Sequence, residues 1–592
     1  MADRSTPRRG ERLTWIAALT VASLTVVVLG VVLATRSVPS APEMRLEITT
    51  PPSADTSLAL SADGEQIAFV ATDAGRPRLW IRSFNSTSAR PLTGTDGAAF
   101  PFWAPNGRSI GFFADEGKLK RIDIDGGAVR VLANAQLQWG GAWNGDDTIL
   151  FGPFTGALFR IPAAGGQPAV VTKLEPQQSN HSYPHFLPDG DHFIYYVSGS
   201  PAVRGVYIAR LQKPAGRRLV DADSIAAAVT SGHLLFVRGT TVFAQRLDVD
   251  RLQLTGSPFP VAESIAMRSA AGSNVAALSA SASGRIAYRT GTAASERQFI
   301  WFDRSGREVG KLGEPIDGNP LSPSLSTDQR RLVFHRAVGG NVDLWMFDIG
   351  RGVLSRLTSN AANEIHPLWS PDGSRILFGS NQSGGYEVYE KSIESGVEKL
   401  FMPAQNAFTD WSRDGRFVLL QRRPKDSADI FAMELGTKRD PFPVVQTDFE
   451  DRNGQLSPDG RWIAYESTES GRWEVYVQPF PGPGARVQVS VNGGAQARWG
   501  PDGKELFFIA LDDRLMAVPI ALPATAGSAE PGVPAPLFGT RVGGAVQSFS
   551  RQQYFVSPDG QRFLMNTILR AEPVSPITMI VNWAPGAAGA RQ

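Results

Sequence analysis

The 592-residue sequence contains no cysteine, only 6 histidines and little excess charge. Without cysteine the chain cannot form disulfides, thiolate metal sites or iron–sulfur clusters. Its 59 lysines and arginines nearly balance 57 aspartates and glutamates, and a net charge of +2 argues against a nucleic-acid binder with a large basic field. Hydrophobic residues make up 42% of the chain, so it can bury cores and is not intrinsically disordered.

One long hydrophobic run, residues 13–35, carries no charged side chain. As a helix it would span a hydrocarbon core of about 30 Å. Arginines are concentrated before it, and the positive-inside rule then places residues 1–12 in the cytoplasm and the chain after about residue 36 outside. We therefore expect a single-pass anchor in the cytoplasmic membrane. A cleaved signal peptide, whose apolar part is usually shorter, is the alternative.

The rest of the sequence is periodic. A Pro-Asp-Gly turn occurs at 371–373, 458–460, 501–503 and 558–560, and weaker copies raise the number of turns to twelve. The turns from Asp63 to Asp559 span 496 residues in eleven intervals, which gives a period of about 45 residues. Proline, aspartate and glycine in this order favour a tight reversal between two strands. Runs such as Ile67–Val70 follow the turns and are typical of short buried strands.

Four short strands per repeat indicate the blade of a β-propeller, whereas a solenoid of stacked sheets is the less favoured alternative. Because twelve blades exceed the usual size of one ring, we expect an all-β fold of two six-bladed β-propellers with four-stranded blades, preceded by one N-terminal transmembrane helix. The strands predicted at Arg45–Ile48 and Ile577–Val581 lack repeats of their own. We expect both to complete blades built mainly from other parts of the chain.

These patterns predict the following division of the chain: a cytoplasmic stub at 1–12, the transmembrane helix at 13–35, a linker at 36–44, a first propeller at 45–295, a second propeller at 296–585 and a tail at 586–592.

The segment Trp369–Gly373, followed by Arg375–Phe378, resembles the repeats of TolB-type six-bladed propellers. Residues 36–585 are also similar to the outer propeller region of bacterial transmembrane Ser/Thr kinases, as in Ala99–Trp103 and Glu474–Gly482. The sequence has no kinase signature such as Val-Ala-Ile-Lys or Asp-Phe-Gly. The resemblance thus implies a binding region without the catalytic half.

Motifs that suggest catalysis or metal binding have simpler explanations. Gly107–Gly111 matches G-x-S-x-G, but it enters a predicted strand and no α/β domain follows. His181 and His185 fall in an extended stretch, where residues four apart lie about 13 Å from each other. Asp123 begins a sequence similar to a calcium loop that lacks the carboxylate at its twelfth position. We therefore expect no catalytic residues, no metal and no cofactor.

The most informative positions lie six residues before each turn aspartate, where TolB-like blades present side chains at the mouth of the central channel. Candidate ligand-binding residues at or close to these positions are Glu364, His366, Arg452, Asn453, Gln496, Arg498 and Tyr183. Their mixed polar and charged groups suit contact with a peptide or a carbohydrate.

We interpret the sequence as a membrane-anchored, extracytoplasmic scaffold or sensor that binds a protein or peptide partner in the envelope and is not an enzyme. It binds the membrane through its N-terminal helix and does not bind nucleic acid. The alternative is a propeller enzyme of lyase or hydrolase type that acts on carbohydrate at a site in the channel.

Metal analysis of the purified outer region distinguishes these interpretations. We expect no stoichiometric metal, because the 6 histidines are spread between residues 181 and 366. One bound metal ion per chain would contradict the scaffold interpretation and favour the enzyme.

Overall fold

The computed structural model describes residues 14–15, 17–26 and 41–583. Short gaps within the last range are 52, 54, 74–75, 115–116, 136–137, 154–155, 201, 225, 230–231, 271–272, 291–295, 339–340, 384, 404–406, 423, 425–426, 438, 483, 524–526, 547–550 and 571–575. Several of the predicted segments lie outside the described residues: the cytoplasmic stub, residues 27–35 of the predicted transmembrane helix, residues 36–40 of the linker, and the tail. Residues 14–15 and 17–26 are helical, and no helix within the described part of the chain is both long and apolar enough for a membrane span.

The first half of the described chain consists of short strands. They are β1 (Met44–Ile48), β2 (Leu58–Leu60), β3 (Gln66–Asp73), β4 (Arg76–Ser83), β5 (Arg90–Pro91), β6 (Ala99–Trp103), β7 (Ser109–Ala114), β8 (Lys118–Asp123), β9 (Arg130–Asn134), β10 (Gln138–Trp143), β11 (Thr148–Pro153), β12 (Phe159–Pro162), β13 (Ala169–Val170), β14 (Gln178–Phe186), β15 (His192–Gly199), β16 (Gly205–Arg210), β17 (Lys213–Val220), β18 (Ala226–Val229), β19 (His233–Arg238), β20 (Thr241–Asp248), β21 (Gln253–Ala262), β22 (Met267–Ala270), β23 (Ser273–Ala276), β24 (Leu278–Ala280) and β25 (Ile286–Arg289).

The second half continues in the same way. Its strands are β26 (Glu296–Asp303), β27 (Glu308–Ile316), β28 (Leu321–Leu325), β29 (Arg331–Val338), β30 (Asn341–Asp348), β31 (Val353–Arg356), β32 (Glu364–Trp369), β33 (Arg375–Ser380), β34 (Glu387–Ser392), β35 (Glu398–Met402), β36 (Ala407–Trp411), β37 (Phe417–Arg422), β38 (Asp429–Glu434), β39 (Phe442–Val445), β40 (Asp451–Leu456), β41 (Trp462–Ser467), β42 (Glu474–Pro479), β43 (Val487–Gln488), β44 (Gly494–Trp499), β45 (Glu505–Ala510), β46 (Arg514–Ala521), β47 (Glu530–Pro531), β48 (Ala535–Gly539), β49 (Tyr554–Val556), β50 (Arg562–Arg570) and β51 (Ile577–Val581).

Antiparallel pairing arranges strands β1 to β25, together with β51 from the end of the chain, into a group of sheets that we call the first sheet set. Its sheets have the orders β2-β3-β4-β5, β6-β7-β8-β9, β10-β11-β12-β13, β14-β15-β16-β17, β18-β19-β20-β21 and β24-β25-β51-β1, and β22 and β23 form a separate hairpin. The last sheet confirms that Arg45–Ile48 and Ile577–Val581 complete a sheet begun elsewhere, with Leu46 opposite Met579. Residues 577–581 therefore pair with the first sheet set although the predicted boundary groups them with the second propeller.

The second sheet set follows the same scheme. Its sheets have the orders β28-β29-β30-β31, β32-β33-β34-β35, β36-β37-β38-β39, β40-β41-β42-β43, β44-β45-β46-β48 and β49-β50-β26-β27, and β47 also pairs with β46. Strands β26 and β27 thus join a sheet whose other strands lie more than 200 residues later in the chain. In both sheet sets, we call the strand that is written first in each sheet order the inner strand.

Neighbouring sheets pack face to face in a closed series within each set. In the first set the inner strands make contacts in the sequence β2, β6, β10, β14, β18, β24 and back to β2. In the second set they make contacts from β28 through β32, β36, β40 and β44 to β49. Phe299 of β26 then packs against Phe334 of β29 with ring centroids 5.4 Å apart, and this contact returns the series to its first sheet. The protein therefore has an all-β, propeller-type fold.

The repeated turn owes its shape to a local hydrogen-bond network. At one turn, the Ser412 hydroxyl donates to Asp414 Oδ1 at 2.6 Å and accepts from the Phe417 amide at 2.7 Å. The Arg416 amide also donates to Asp414 Oδ1, and these hydrogen bonds lower the pKa of Asp414. The same Ser–Asp bond recurs at the turns that begin with Ser61, Ser326, Ser370, Ser457 and Ser557. These carboxylates therefore fix the turn.

The strand from the far end of the chain is an integral part of the first core. Ile580 is fully buried among residues of β19, β20, β24 and β25. We expect Ile580→Ala to lower the free energy of unfolding of the first sheet set by about 2–4 kcal/mol, because it leaves a cavity in a closely packed core. Urea denaturation measures this loss. Val353→Ala on the exposed face of β31 is the matched control, and an equal effect of both substitutions would contradict the pairing of β51 with the first set.

Candidate functional site

A recurrent β-bulge positions the predicted column of side chains. In most inner strands the register shifts by one residue, as between Ile365 and Leu368 and between Ala495 and Arg498. In seven of these strands the first residue within a shift, or the second in β10, has left-handed backbone: Phe100, Gly140, Tyr183, Ser322, His366, Asn453 and Gln496 have φ between 48° and 77°. Strand β36, where Thr409 lies within the shift, is the exception. Left-handed backbone is uncommon for residues other than glycine, and a bulge re-aims the side chains beside it. The conformation thus sets these residues apart from the regular ladder.

The segment Arg551–Gln553 reaches the inner strands of four other sheets in the second set. The Arg551 guanidinium donates to the carbonyls of His366 and Pro367 on β32 at 2.7 and 2.9 Å, and its amide donates to Ser322 Oγ on β28. Gln552 donates to carbonyls on β40 and β44. The Gln553 amide donates to Gln496 Oε1 at 2.7 Å. A single segment can touch all these strands only if they surround it, so Arg551–Gln553 marks the centre of the second sheet set.

Two arginines and one aspartate meet at this centre. Arg498 donates to Gln455 Oε1 and to the Tyr554 carbonyl, both at 3.1 Å, and its guanidinium lies 4.7 Å from the centroid of the Phe555 ring. Asp410 accepts from the Leu456 amide at 2.7 Å. Burial raises the pKa of Asp410 to about 6, although that hydrogen bond and the two arginines oppose the rise. Burial and the neighbouring Arg498 lower the pKa of Arg551 to about 9.

A second polar group surrounds the carboxylate of Glu466 on β41, which is fully buried. Arg452 Nε donates to Glu466 Oε2 at 2.8 Å, and its guanidinium stacks 3.8 Å from the centroid of the Trp473 ring. Asn453 Nδ2 and the Gln496 amide both donate to Glu466 Oε1, at 3.2 and 2.7 Å. The structure therefore brings three of the predicted residues, from two adjacent sheets, onto one carboxylate.

His366 lies beside another histidine. Its amide donates to His335 Nδ1 at 3.4 Å, and the two rings are perpendicular with centroids 5.7 Å apart. His335 is 6% exposed, and burial together with His366 and Arg551 holds its pKa well below its usual value. His335 is therefore a neutral neighbour of the centre at physiological pH.

Glu364 occupies a different place from the other predicted residues. Its side chain is completely buried at the start of β32 and accepts hydrogen bonds from Thr358 and Ser380 at 3.1 and 3.3 Å. Thr358 also accepts from the Leu344 amide of the preceding sheet. Burial, together with the nearby Asp343, raises the pKa of Glu364 to about 8, although the hydrogen bond from Thr358 opposes the rise. These contacts join two adjacent sheets, and none of them reaches Arg551–Gln553.

Tyr183 belongs to an aromatic group in the first sheet set. Its ring lies 6.0 Å from that of Phe100 and 5.9 Å from that of Trp139, centroid to centroid, with edge-to-face geometry in both pairs. A Cβ at Gly140 would approach the Tyr183 ring to 2.6 Å, so this position of the bulge series has to be glycine. Two of the three bulge positions of the first set, Phe100 and Tyr183, thus carry aromatic rings, whereas those of the second set carry the polar side chains of Ser322, His366, Asn453 and Gln496.

Sequence reasoning did not identify Asp410, Glu466 or Arg551. Asp410 and Arg498 both lie four residues before the aspartate of their turn. If the candidate positions had included this second position of the repeat, they would have included Asp410. Arg551 lies eight residues before its turn aspartate, where no other repeat has an arginine, and Glu466 lies on the second strand of its sheet. No pattern in the sequence indicates these two.

The histidines that could suggest a metal have other contacts. His181 is 1% exposed, lies 2.8 Å from Thr172 Oγ1 and 2.9 Å from Gln178 Oε1, and burial lowers its pKa to about 4. His192 pairs with Asp189 at 2.5 Å. Over the described ranges, no group of three or more histidine and carboxylate side chains is placed to hold a metal ion.

Residues 280–444 match the family model of the TolB beta propeller domain, PD40. TolB-like repeats are therefore present in this range, which includes the inner strands β28, β32 and β36. The uncharacterized protein Atu1656 of Agrobacterium fabrum is 33% identical to the chain over 70 residues, which are 12% of this chain and 23% of that protein. The chain thus matches less than a quarter of the length of this curated relative.

Several solved structures resemble the TolB-like fold of this chain at low sequence identity. The putative TolB of Agrobacterium tumefaciens has a TM-score of 0.38 and 17% identity over 46% of this chain and 97% of its own. TolB of Acinetobacter baumannii has a TM-score of 0.31 and 16% identity over 52% and 81%. The tricorn protease has a TM-score of 0.29 and 13% identity over 81% and 59%.

The position of Glu364 predicts an unusual pH dependence. Between its ordinary pKa of 4.5 and its raised value of about 8, the folded protein holds a proton that the unfolded chain releases. The free energy of unfolding therefore falls as the pH rises through this window, by at most about 1.4 kcal/mol per pH unit. We expect Glu364→Gln to reduce this slope in urea denaturation between pH 5 and 8. The exposed Glu394→Gln is the control, and an unchanged slope in the Glu364 variant would show that its carboxyl titrates normally.

Proposed function

We propose that the chain is a membrane-anchored, extracytoplasmic scaffold or sensor that binds a protein or peptide partner and is not catalytic. In this proposal the two sheet sets are two six-bladed TolB-like propellers, and the apolar run at 13–35 holds them at the outer face of the cytoplasmic membrane. The described helix within that run and the match to the TolB beta propeller domain support this arrangement.

The observation that carries the proposal is the convergence of hydrogen-bonding groups of the inner strands, backbone carbonyls and side chains alike, on Arg551–Gln553. Hydrogen-bonding groups from β28, β32, β40 and β44 meet there, and the rigid sheets around them hold their positions. A pre-organised polar centre of this kind loses little entropy when it binds an extended peptide. His366 and Arg498 keep part of their side chains exposed and provide the contacts that a ligand can reach.

Photo-crosslinking in intact cells tests this function. We expect a benzophenone amino acid at the position of His366 to capture one envelope protein, because this side chain borders the proposed channel. The same amino acid at Val353, exposed on the outermost strand of an adjacent sheet, is the matched control and should capture none. Capture of no protein from the His366 position, together with glycan binding by the purified chain, would refute a protein or peptide partner.

A further inference from the structure

The centre of the second sheet set contains more positive than negative charge. Arg498 and Arg551 are opposed by Asp410 alone, since the carboxylate of Glu466 is already paired with Arg452 at 2.8 Å. Within the described residues, neither Arg498 nor Arg551 has a carboxylate oxygen within 4.0 Å, and both donate to carbonyl or amide oxygens instead. One positive charge therefore remains uncompensated in a largely buried place, which is costly unless an anion is bound.

This charge is partly accessible, because the residues at the centre differ in their exposure. Arg498 and Asp410 are partly exposed, as is His366 beside them. Arg551 is 6% exposed, lies behind them, and its Nε has no hydrogen-bond acceptor among the described residues. A ligand would therefore meet Arg498 first, while Arg551 adds an electrostatic field from a fixed position.

We propose that this centre, formed by Arg498 with Arg551 behind it, binds the carboxylate of an acidic peptide. The inference rests on the proposed function and gives its ligand a chemical class. A carboxylate carries one negative charge, which matches the single excess positive charge. The planar guanidinium of arginine is also suited to bind its two oxygens together. Asp410 is in this view a competitor, because its own carboxylate partly occupies the field of the two arginines.

Peptide titration of the full-length protein in detergent, at constant ionic strength, tests the proposal. The probes are acetyl-Gly-Asp-Gly-amide, the same peptide with asparagine, and acetyl-Gly-Gly-Gly with a free C-terminal carboxylate. We expect at least one carboxylate peptide to bind about tenfold more tightly than the asparagine peptide, because only a carboxylate compensates the charge. The two carboxylate probes distinguish a side chain from a chain end as the source.

Three variants make the test specific. Arg498→Gln should abolish the preference for a carboxylate, and Arg498→Lys should retain part of it because the charge remains. Asp410→Asn should tighten binding about threefold or more, since it removes the competing negative charge, and a purely structural role for Asp410 predicts no such gain. Arg416→Gln, an exposed arginine paired with Glu434, is the control and should leave binding unchanged.

Equal binding of the aspartate and asparagine peptides, no binding of any probe, or an unchanged preference in folded Arg498→Gln would overturn the proposal. Circular dichroism melting confirms that each variant is folded. A failure here, combined with persistent crosslinking of an envelope protein at His366, would refute the carboxylate site and leave the protein-binding function standing.

Discussion

The structure depends on hydrogen bonds that join the inner strand of one sheet to a side chain of the sheet before it. The amides of Leu60, Trp369 and Leu456 donate to Ser279 Oγ, Ser324 Oγ and Asp410 Oδ2 at 3.0, 3.1 and 2.7 Å. Each donor lies three residues before its turn aspartate or the equivalent residue, and each acceptor lies four residues before the turn of the preceding repeat. Because the bond recurs at the same place in these three repeats, it holds their inner strands at the same spacing from the strands before them.

The repeat predicts much of the fold because its information is local. Ser412, Asp414 and the Gly after them determine a turn by contacts within six residues, so each copy can be recognised by itself. The column of bulge residues follows from counting back from those turns. The burial of Glu364 could not be predicted in this way, since it depends on Thr358 and Ser380 from neighbouring strands. The role of Arg551 could not be predicted, because the two carbonyls to which its guanidinium donates belong to residues about 185 positions earlier in the sequence.

The two sheet sets use one backbone scheme for different chemistry. Tyr183 and Gln496 have nearly the same left-handed conformation, with φ of 49° and 57°. Around Tyr183 the neighbours are aromatic, whereas around Gln496 they are amides and a buried carboxylate. A bulge that tolerates either kind of side chain separates the stability of the sheets from the character of their centre, so the two centres can differ while the sheets around them stay alike.

The pairing of β51 with β1 and β25 also determines the order in which the chain can be completed during synthesis. The second sheet set needs residues up to about 570, whereas the last sheet of the first set needs residues 577–581. The residues from β1 to β25, 44–289, are made first and therefore keep an open edge at β25 until the later half has formed its own sheets. The half of the protein that leaves the ribosome first is thus the half that closes last, and its exposed edge is the segment for which protection from aggregation matters most.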